Sequence, residues 1–397
     1  MLSIATKCLA AVAALALTLS AAQAETVTFG ASAPKSGPLA GGAATTHWPN
    51  IQLWVHDVNE AGGLRVGDQR MTVEVIEYDD RTSPEDAVRN IQRLVTQDEV
   101  DFLIAPYATG FNIATAPIIA RYGYPHIVAT APTDAVAQFA KRWPNSVWIA
   151  QTASQMAEGA VQALVHLRDA GEIGDGVALV HVTDAFGLEM AGATKPRLEE
   201  AVFEIVYETS YPLGTQDMAP IVSGAIAAAP DAFVAFRYPG DTFALTEQAR
   251  IQKPDVGAFY TGVGTAFPGF RDRFGAEAEG IMGVGGVDMS SQRMQDYFAR
   301  HEEVTGIEPD YGASAYTYAG LEMLGQAIEA AGTLDRAAVV AELQTGTFDT
   351  VVGEMKMVDN NNPRTWTPGQ WVDGVFRVVS ASGMQPGAEP VRKDPWQ

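Results

Sequence analysis

The chain has 397 residues, 47% of them hydrophobic, so it can bury a large core without disulfides, and its length suggests two domains. Its formal charge of −22 at pH 7 repels phosphate backbones and anionic lipids, which excludes nucleic acid as a partner. The single cysteine, Cys8, lies in the N-terminal segment described next. Disulfides, zinc–cysteine sites, iron–sulfur clusters and thiol nucleophiles are therefore excluded from the mature chain.

The first 24 residues have the organisation of a secretory signal peptide. Lys7 precedes an apolar run at 9–19, and Ala22-Gln23-Ala24 matches an A-x-A cleavage site. We therefore expect an exported, periplasmic chain of 397 − 24 = 373 residues that begins near Glu25. No other stretch approaches the roughly 20 apolar residues of a membrane span.

From residue 27 onward, short apolar strands alternate with amphipathic helices, a pattern typical of parallel α/β sheets. A first set of strands is predicted at 27–31, 71–78, 102–105 and 126–129, with helices at 48–61, 84–97 and 112–122. Ser83 and Pro84 indicate the start of the second helix, as its N-cap and its first helical residue.

The same alternation then restarts and predicts a second set. Its strands are expected at 147–150, 177–182, 203–208, 232–236 and 257–261, and its helices at 154–170, 188–201, 218–229 and 242–251. An apolar strand follows Gly280, then helices near 292–304, 313–330 and 337–343, and a strand-like region from 351. The two sets predict two doubly wound lobes. Because the first set lacks helices on one face, we expect the late helices to return to it.

The common catalytic signatures are missing from this sequence. Residues 262–267 begin like a dinucleotide-binding loop, but Phe267 stands where the third glycine is required. There is no Walker loop and no G-x-S-x-G elbow, and the six histidines show no metal-ligand spacing. Asp79-Asp80 precedes a helix cap, which favours a solvated turn over an acid/base pair. We expect no enzymatic activity, cofactor or metal; an enzyme on two α/β lobes is the third-ranked alternative.

Polar and aromatic residues follow the predicted strands, at the carboxyl ends where open α/β sheets bind ligands. The positions concerned are 36–37, 107–110, 130, 184–187, 237–238 and 262–264. The helix that opens near Thr109 and Gly110 has free N–H groups that suit an anion. Together these positions predict two facing rims of one cleft.

Several segments, taken in order, resemble the leucine/isoleucine/valine-binding family, the solute-binding proteins of ABC importers with the type I periplasmic-binding fold. They are 36–40 (SGPLA), 57–64 (DVNEAGGL), 78–80 (YDD) with 83–87 (SPEDA), 184–187 (DAFG) and 348–357 (FDTVVGEMKM). The fourth is similar to the family's D-x-x-Y-G turn, and the fifth to its last inter-lobe segment.

This resemblance implies two lobes joined by a three-segment hinge that closes on a small ligand. We expect lobe one at 25–149 and 282–350, lobe two at 150–281 and 351–380, and a loose tail at 381–397. The crossings would lie near Ile149, near Met282 and in the 350s. The resemblance also implies a carboxylate-bearing ligand, a membrane permease as partner and a monomeric chain. The alternative is a ligand-sensing protein that feeds a membrane receptor.

The resemblance also implies roles for individual residues. On lobe one, Thr109 would hold the ligand carboxylate, with Gly110 beside it. The aromatic rings of Phe186 and Tyr238 would cover the ligand from lobe two. The second contact loop of lobe one would be Ala129, Thr130 and Ala131, and further cleft candidates are His47, Trp48, Tyr107 and Arg237.

One position departs from the family pattern. Amino-acid binders of this family place a glutamate against the ligand ammonium, and here that position is Val263. A buried ammonium without a carboxylate costs several kcal/mol. The departure favours a keto acid, an aromatic acid or another small organic acid, unless Asp184 or Asp241 substitutes for the glutamate and an amino acid binds.

Overall fold

The computed structural model describes residues 25–363, 368–379 and 387–397, so the predicted signal peptide lies outside the described residues. A first sheet has the spatial order β2-β3-β1-β4, with β1 parallel to both β3 and β4. Its strands are β1 (Thr26–Ala33), β2 (Leu64–Val66), β3 (Gln69–Asp79) and β4 (Phe102–Ile104). A separate parallel pair consists of β5 (His126–Val128) and β6 (Ser146–Trp148).

A second sheet of seven strands has the order β15-β14-β11-β10-β9-β7-β8. Its parallel strands are β7 (Gly176–Val182), β8 (Glu204–Tyr211), β9 (Ala232–Phe236), β10 (Ala258–Thr261) and β11 (Ile281–Val284). The hairpin of β14 (Pro368–Val372) and β15 (Val375–Val378) joins it antiparallel, and β12 (Phe348–Thr350) and β13 (Gly353–Met355) form another hairpin. All five residues of β9 are buried, as expected for a parallel strand covered on both faces.

Helices connect these strands. They are α1 (Ala40–Thr46), α2 (Trp48–Glu60), α3 (Pro84–Thr96), α4 (Thr109–Arg121), α5 (Val136–Arg142), α6 (Ala153–Asp169), α7 (Ala185–Glu200), α8 (Ala219–Ala227), α9 (Pro239–Gln252), α10 (Pro268–Phe274), α11 (Gln292–Thr305), α12 (Ala313–Ala331) and α13 (Arg336–Thr345). The Ser83 hydroxyl caps α3 by accepting from the Asp86 N–H at 3.2 Å. The predicted α/β class is confirmed.

The last three helices lie beside the first sheet. The Tyr297 hydroxyl on α11 donates to Asn50 Oδ1 on α2 at 2.7 Å, and the Tyr318 hydroxyl on α12 donates to Asp57 Oδ2 at 2.7 Å. On α13, the Arg336 guanidinium donates to the Val100 and Asp101 carbonyls at 3.0 Å. These bonds show that the late helices return to the first set of strands and helices, as the sequence predicts.

Three helices begin earlier than the apolar pattern predicts. We expected α4, α7 and α9 to start at 112, 188 and 242, and they start at Thr109, Ala185 and Pro239. Their first turns have the sequences TGF, AFG and PGD, and the glycine or proline in each is typical of a loop sequence. The early starts matter because they place helix N-termini directly at the carboxyl ends of β4, β7 and β9.

Two lobe boundaries differ from the expectation. Residues 282–284, expected in lobe one, belong to β11, which pairs with β10 and β14 in the second sheet. Residues 351–355, expected in lobe two, lie beside α12, where the Val351 N–H donates to Glu322 Oε2 at 2.7 Å. Apolar patterning cannot distinguish these assignments, because a short buried strand has the same pattern in either sheet.

The C-terminal residues 387–397 pack on the second sheet, whereas the sequence predicts that they form a loose tail. The Gln370 side-chain amide donates to the Val391 carbonyl at 2.6 Å and accepts from the Val391 N–H at 2.9 Å. Trp396 is 7% exposed, and its ring meets that of Phe259 edge-on at 5.4 Å. Residues 381–386 lie outside the described residues. Every helix among the described residues is too short or too polar to span a bilayer.

Candidate functional site

A cavity lies where the carboxyl ends of strands from both sheets meet. It contains about 630 Å³ of empty space, part of it open to solvent. Residues after β4, β5 and β6 form one side, and residues after β7, β9 and β10 together with the last residue of β11 form the other. The start of α12 closes the remaining wall. This is the cleft position predicted from the strand ends.

The structure brings most of the predicted site residues together. Seven of them line the cavity: Tyr107, Thr109, Ala129, Thr130, Phe186, Tyr238 and Val263. Gly110 is outside the lining and faces the start of α7, where a Cβ added to it would lie 3.9 Å from that of Ala185. Ala131 is also outside, because it packs in a separate cluster with Val128 and Trp148.

The N-terminus of α4 forms the polar end of the cavity. Its N-cap, Ala108, has no side-chain acceptor for the first N–H groups, and its φ of 73° is in the region that favours glycine. Thr109 is 1% exposed, and its hydroxyl has only a long contact, 3.4 Å, to the Pro132 carbonyl. Free N–H groups and a weakly bound hydroxyl suit a carboxylate.

A buried network behind α4 fixes this end. The Asn112 amide donates to the Pro106 carbonyl at 2.7 Å and to the Ala108 carbonyl at 2.9 Å. His126 bonds with Asn112 Oδ1 and with the Ser146 hydroxyl, both at 3.0 Å. Burial lowers the pKa of His126 to about 3, so the imidazole is neutral and adds no charge to the site.

Aromatic rings form the facing wall. Phe186 at the start of α7 and Tyr238 before α9 have ring centroids 5.3 Å apart at 46°. The Tyr238 hydroxyl donates to Asp184 Oδ2 at 2.6 Å, which fixes the ring. Burial raises the pKa of Asp184. This wall presents carbon surface to the cavity and keeps its polar atoms bonded to the protein.

Val263 lines the cavity, but the two aspartates named as substitutes for the family's glutamate do not. Asp184 accepts from Tyr238 and from the Gly187 N–H, and Asp241 accepts from the Tyr211 hydroxyl at 3.3 Å. Both carboxylates already have hydrogen bonds behind the wall.

Sequence reasoning missed two polar residues in the lining, Gln151 and Asp310. Asp310 is 1% exposed, accepts from the Ser314 N–H at 3.0 Å and its hydroxyl at 2.6 Å, and burial raises its pKa to about 6. It precedes the helix predicted at 313. Gln151 directly follows the strand predicted at 147–150, which is the same signal that identified Thr130 and Tyr238.

The three other cleft candidates lie outside the lining. His47 is buried with its ring 6.4 Å from that of Tyr107, and Trp48 lies in a surface groove of lobe one under the Lys35 ammonium. Arg237 is fully buried and donates to the Thr261 hydroxyl. Of these three described residues, His47 alone has a ring contact with a lining residue, Tyr107.

Contacts also bridge the mouth of the cavity. The Thr133 hydroxyl, beyond β5, donates to Glu189 Oε1 on α7 at 2.8 Å. A Cβ added to Gly214 would lie 3.2 Å from the Pro38 side chain. The structure therefore shows a closed cleft.

Elsewhere among the described residues, His56, Asp57 and Glu60 come close enough together to suit a metal ion. Arg300 already forms ion pairs with Asp57, at 2.9 Å, and with Glu60. The group is thus a surface ion-pair cluster.

A family model described as periplasmic binding protein matches residues 26–374. The Leu/Ile/Val-binding protein homolog 1 of Brucella abortus is 24% identical over 367 residues, which cover 89% of this chain and 93% of the relative.

Solved structures have the same fold. A solute-binding protein of an ABC transporter from R. palustris, in complex with benzoate, has a TM-score of 0.77 at 19% identity and covers 92% of this chain and 97% of its own. A branched-chain amino acid transporter substrate-binding protein from Streptococcus pneumoniae, in complex with isoleucine, has a TM-score of 0.76 at 21% identity. The match covers 92% of this chain and 100% of that protein. The predicted type I periplasmic-binding fold is confirmed.

Proposed function

The chain belongs to the periplasmic binding protein family, and from that premise we propose that it is the substrate-binding subunit of an ABC importer of the branched-chain amino acid type. Proteins of this family bind solutes and are not enzymes. The proposed ligand is an amino acid or another small organic acid, such as a keto or aromatic acid, captured between the lobes and delivered to a membrane permease. We also propose that residues 1–24 are the export signal and that the chain acts as a monomer.

The observation that carries the proposal is the N-terminus of α4 in the cavity wall. A ligand carboxylate there would accept from the Thr109 hydroxyl and from the uncapped N–H groups of the first turn. The rest of the ligand would lie against Phe186 and Tyr238. Since these contacts come from opposite sides of the cavity, ligand binding would stabilise the closed cleft.

The remaining lining supports a small, largely apolar ligand body. Val263 brings no charge, and in the described part of the lining Asp310 is the one carboxylate. One structural neighbour holds benzoate and another holds isoleucine, so this fold accommodates both classes of acid. Val263 favours an acid without an α-amino group, and Asp310 is the acceptor that an amino acid would have to use.

A thermal-shift screen tests the proposal. Amino acids, keto acids and aromatic acids are added to the wild-type protein and to Thr109→Val. A true ligand at a hundred times its Kd stabilises the wild type by about 2.7 kcal/mol, and Thr109→Val needs more ligand for the same shift. Failure of every acid to raise the melting temperature would contradict the proposal. A permease gene beside this one is expected; a receptor gene there would favour the sensing alternative.

A further inference from the structure

The polar side chains around the cavity differ in whether other groups of the protein satisfy their hydrogen bonds. The Thr130 hydroxyl accepts from the Ala108 N–H at 3.3 Å, and the Tyr238 hydroxyl donates to Asp184. Asp310 is bonded to the N–H and the hydroxyl of Ser314. These groups are held by the protein whether or not a ligand is present.

Gln151 is the exception. Its side chain lines the cavity and is 3% exposed, and its Oε1 is buried without a hydrogen-bond partner among the described residues. No other polar side-chain atom in the described lining has this property. The amide is therefore a buried acceptor with nothing in the protein to accept from.

The backbone on both sides holds Gln151 in place. Before it, the N–H groups of Ile149 and Ala150 both donate to the Val128 carbonyl, at 2.9 and 3.3 Å. After it, Thr152 and Gln155 form a reciprocal capping box at the start of α6. The backbone of Gln151 is therefore fixed at the wall of the cavity.

Buried polar groups in folded proteins nearly always have partners, and leaving one unpaired is costly. Met156 and Val284, which line the same cavity, have no hydrogen-bond donor in their side chains. The Thr109 and Tyr238 hydroxyls in the lining already donate to other protein groups. A donor brought by the ligand would supply the missing hydrogen bond. A neutral amide oxygen cannot balance the charge of a buried ammonium, so a neutral donor fits it better.

Resting on the proposed function, we propose that Gln151 determines specificity in this cavity by accepting a hydrogen bond from a hydroxyl group of the bound acid. The ligand class is then a hydroxy-substituted organic acid, with its carboxylate at α4 and its hydroxyl at Gln151. A site built to satisfy a ligand hydroxyl discriminates strongly against the analogue that lacks it.

Calorimetric titration with matched acid pairs tests this assignment. The pairs are 4-hydroxybenzoate and benzoate, 4-hydroxyphenylpyruvate and phenylpyruvate, and 2-hydroxy-4-methylpentanoate and 4-methylpentanoate. Each is titrated into the wild type, Gln151→Leu and Gln151→Met. The control is Gln162→Leu, since Gln162 is an exposed glutamine on α6. In the pair that binds, we expect the wild type to prefer the hydroxylated acid by about tenfold or more, the preference to vanish in both Gln151 variants, and the control to keep it.

The unliganded melting temperature is a second readout. Because Gln151→Leu removes an unsatisfied acceptor, it should not lower the melting temperature, whereas a purely structural amide would. The assignment is overturned if the wild type binds both members of the pair equally, or if the Gln151 variants keep the preference. In that case acids still bind, and the proposed function stands. If no acid of any pair binds while an amino acid does, the assignment is overturned and the proposed function stands; if no amino, keto or aromatic acid binds, the proposed function itself fails.

Discussion

Replacing Thr109 by valine is the sharpest single-residue test of the carboxylate site. The change nearly keeps the side-chain volume and replaces the hydroxyl by a methyl group. In the unliganded protein that hydroxyl has one long contact, 3.4 Å to the Pro132 carbonyl, so the free energy of unfolding should barely change. A hydrogen bond to a charged group contributes about 1.5–3 kcal/mol, which corresponds to a rise in Kd of about 10- to 150-fold.

The assay is calorimetric titration of the acid that gives the largest thermal shift. Thr115→Val is the matched control, because Thr115 is buried on the same helix, where its hydroxyl donates to the Phe111 carbonyl at 2.8 Å. We expect the control to lose stability and to keep its affinity, the reverse of Thr109→Val. Unchanged affinity in Thr109→Val would remove this residue from the site.

Three further outcomes are expected. His126 has a pKa of about 3 when folded against an ordinary 6.5, so its contribution to stability is present above pH 6.5 and is lost as the pH falls from 6.5 towards 3. At pH 5 the loss is about 2 kcal/mol. Denaturant titrations would refute this if the free energy of unfolding had the same pH dependence in the wild type and in His126→Gln. Small-angle scattering should give a smaller radius of gyration with ligand than without, and identical curves would mean that the lobes do not close. In paired titrations of leucine and phenylalanine with their keto acids, the wild type should bind each keto acid at least as tightly, and Val263→Glu should reverse the order. A wild-type preference for either amino acid by tenfold, about 1.4 kcal/mol, would contradict this and point to Asp310.

The order of strands and helices could be predicted because alternating apolar patterns report burial directly. What the pattern could not supply was the identity of short elements such as α1, α5 and α10, which have seven residues each and no clear periodicity. Nor could it place β11, because an apolar strand of four residues carries no information about which sheet it joins.

The candidate site was predictable where function depends on position along a strand. Thr109, Phe186 and Tyr238 follow strands, and parallel strands bring their carboxyl ends to one edge. Asp310 could not be found this way, because it precedes a helix that returns from far along the chain. Ala131 was placed in the site by similarity of position, but the turn after β5 directs it into the cluster with Trp148.

The central claim is that the cavity recognises a carboxylate, and one comparison addresses it directly. Each acid that binds the wild-type protein is titrated beside its primary carboxamide, which has nearly the same shape and no charge. The N-terminus of α4 and the Thr109 hydroxyl predict that the carboxamide binds at least about tenfold more weakly, since charge-assisted hydrogen bonds are roughly twice as strong as neutral ones. Equal affinity for acid and carboxamide would contradict the claim.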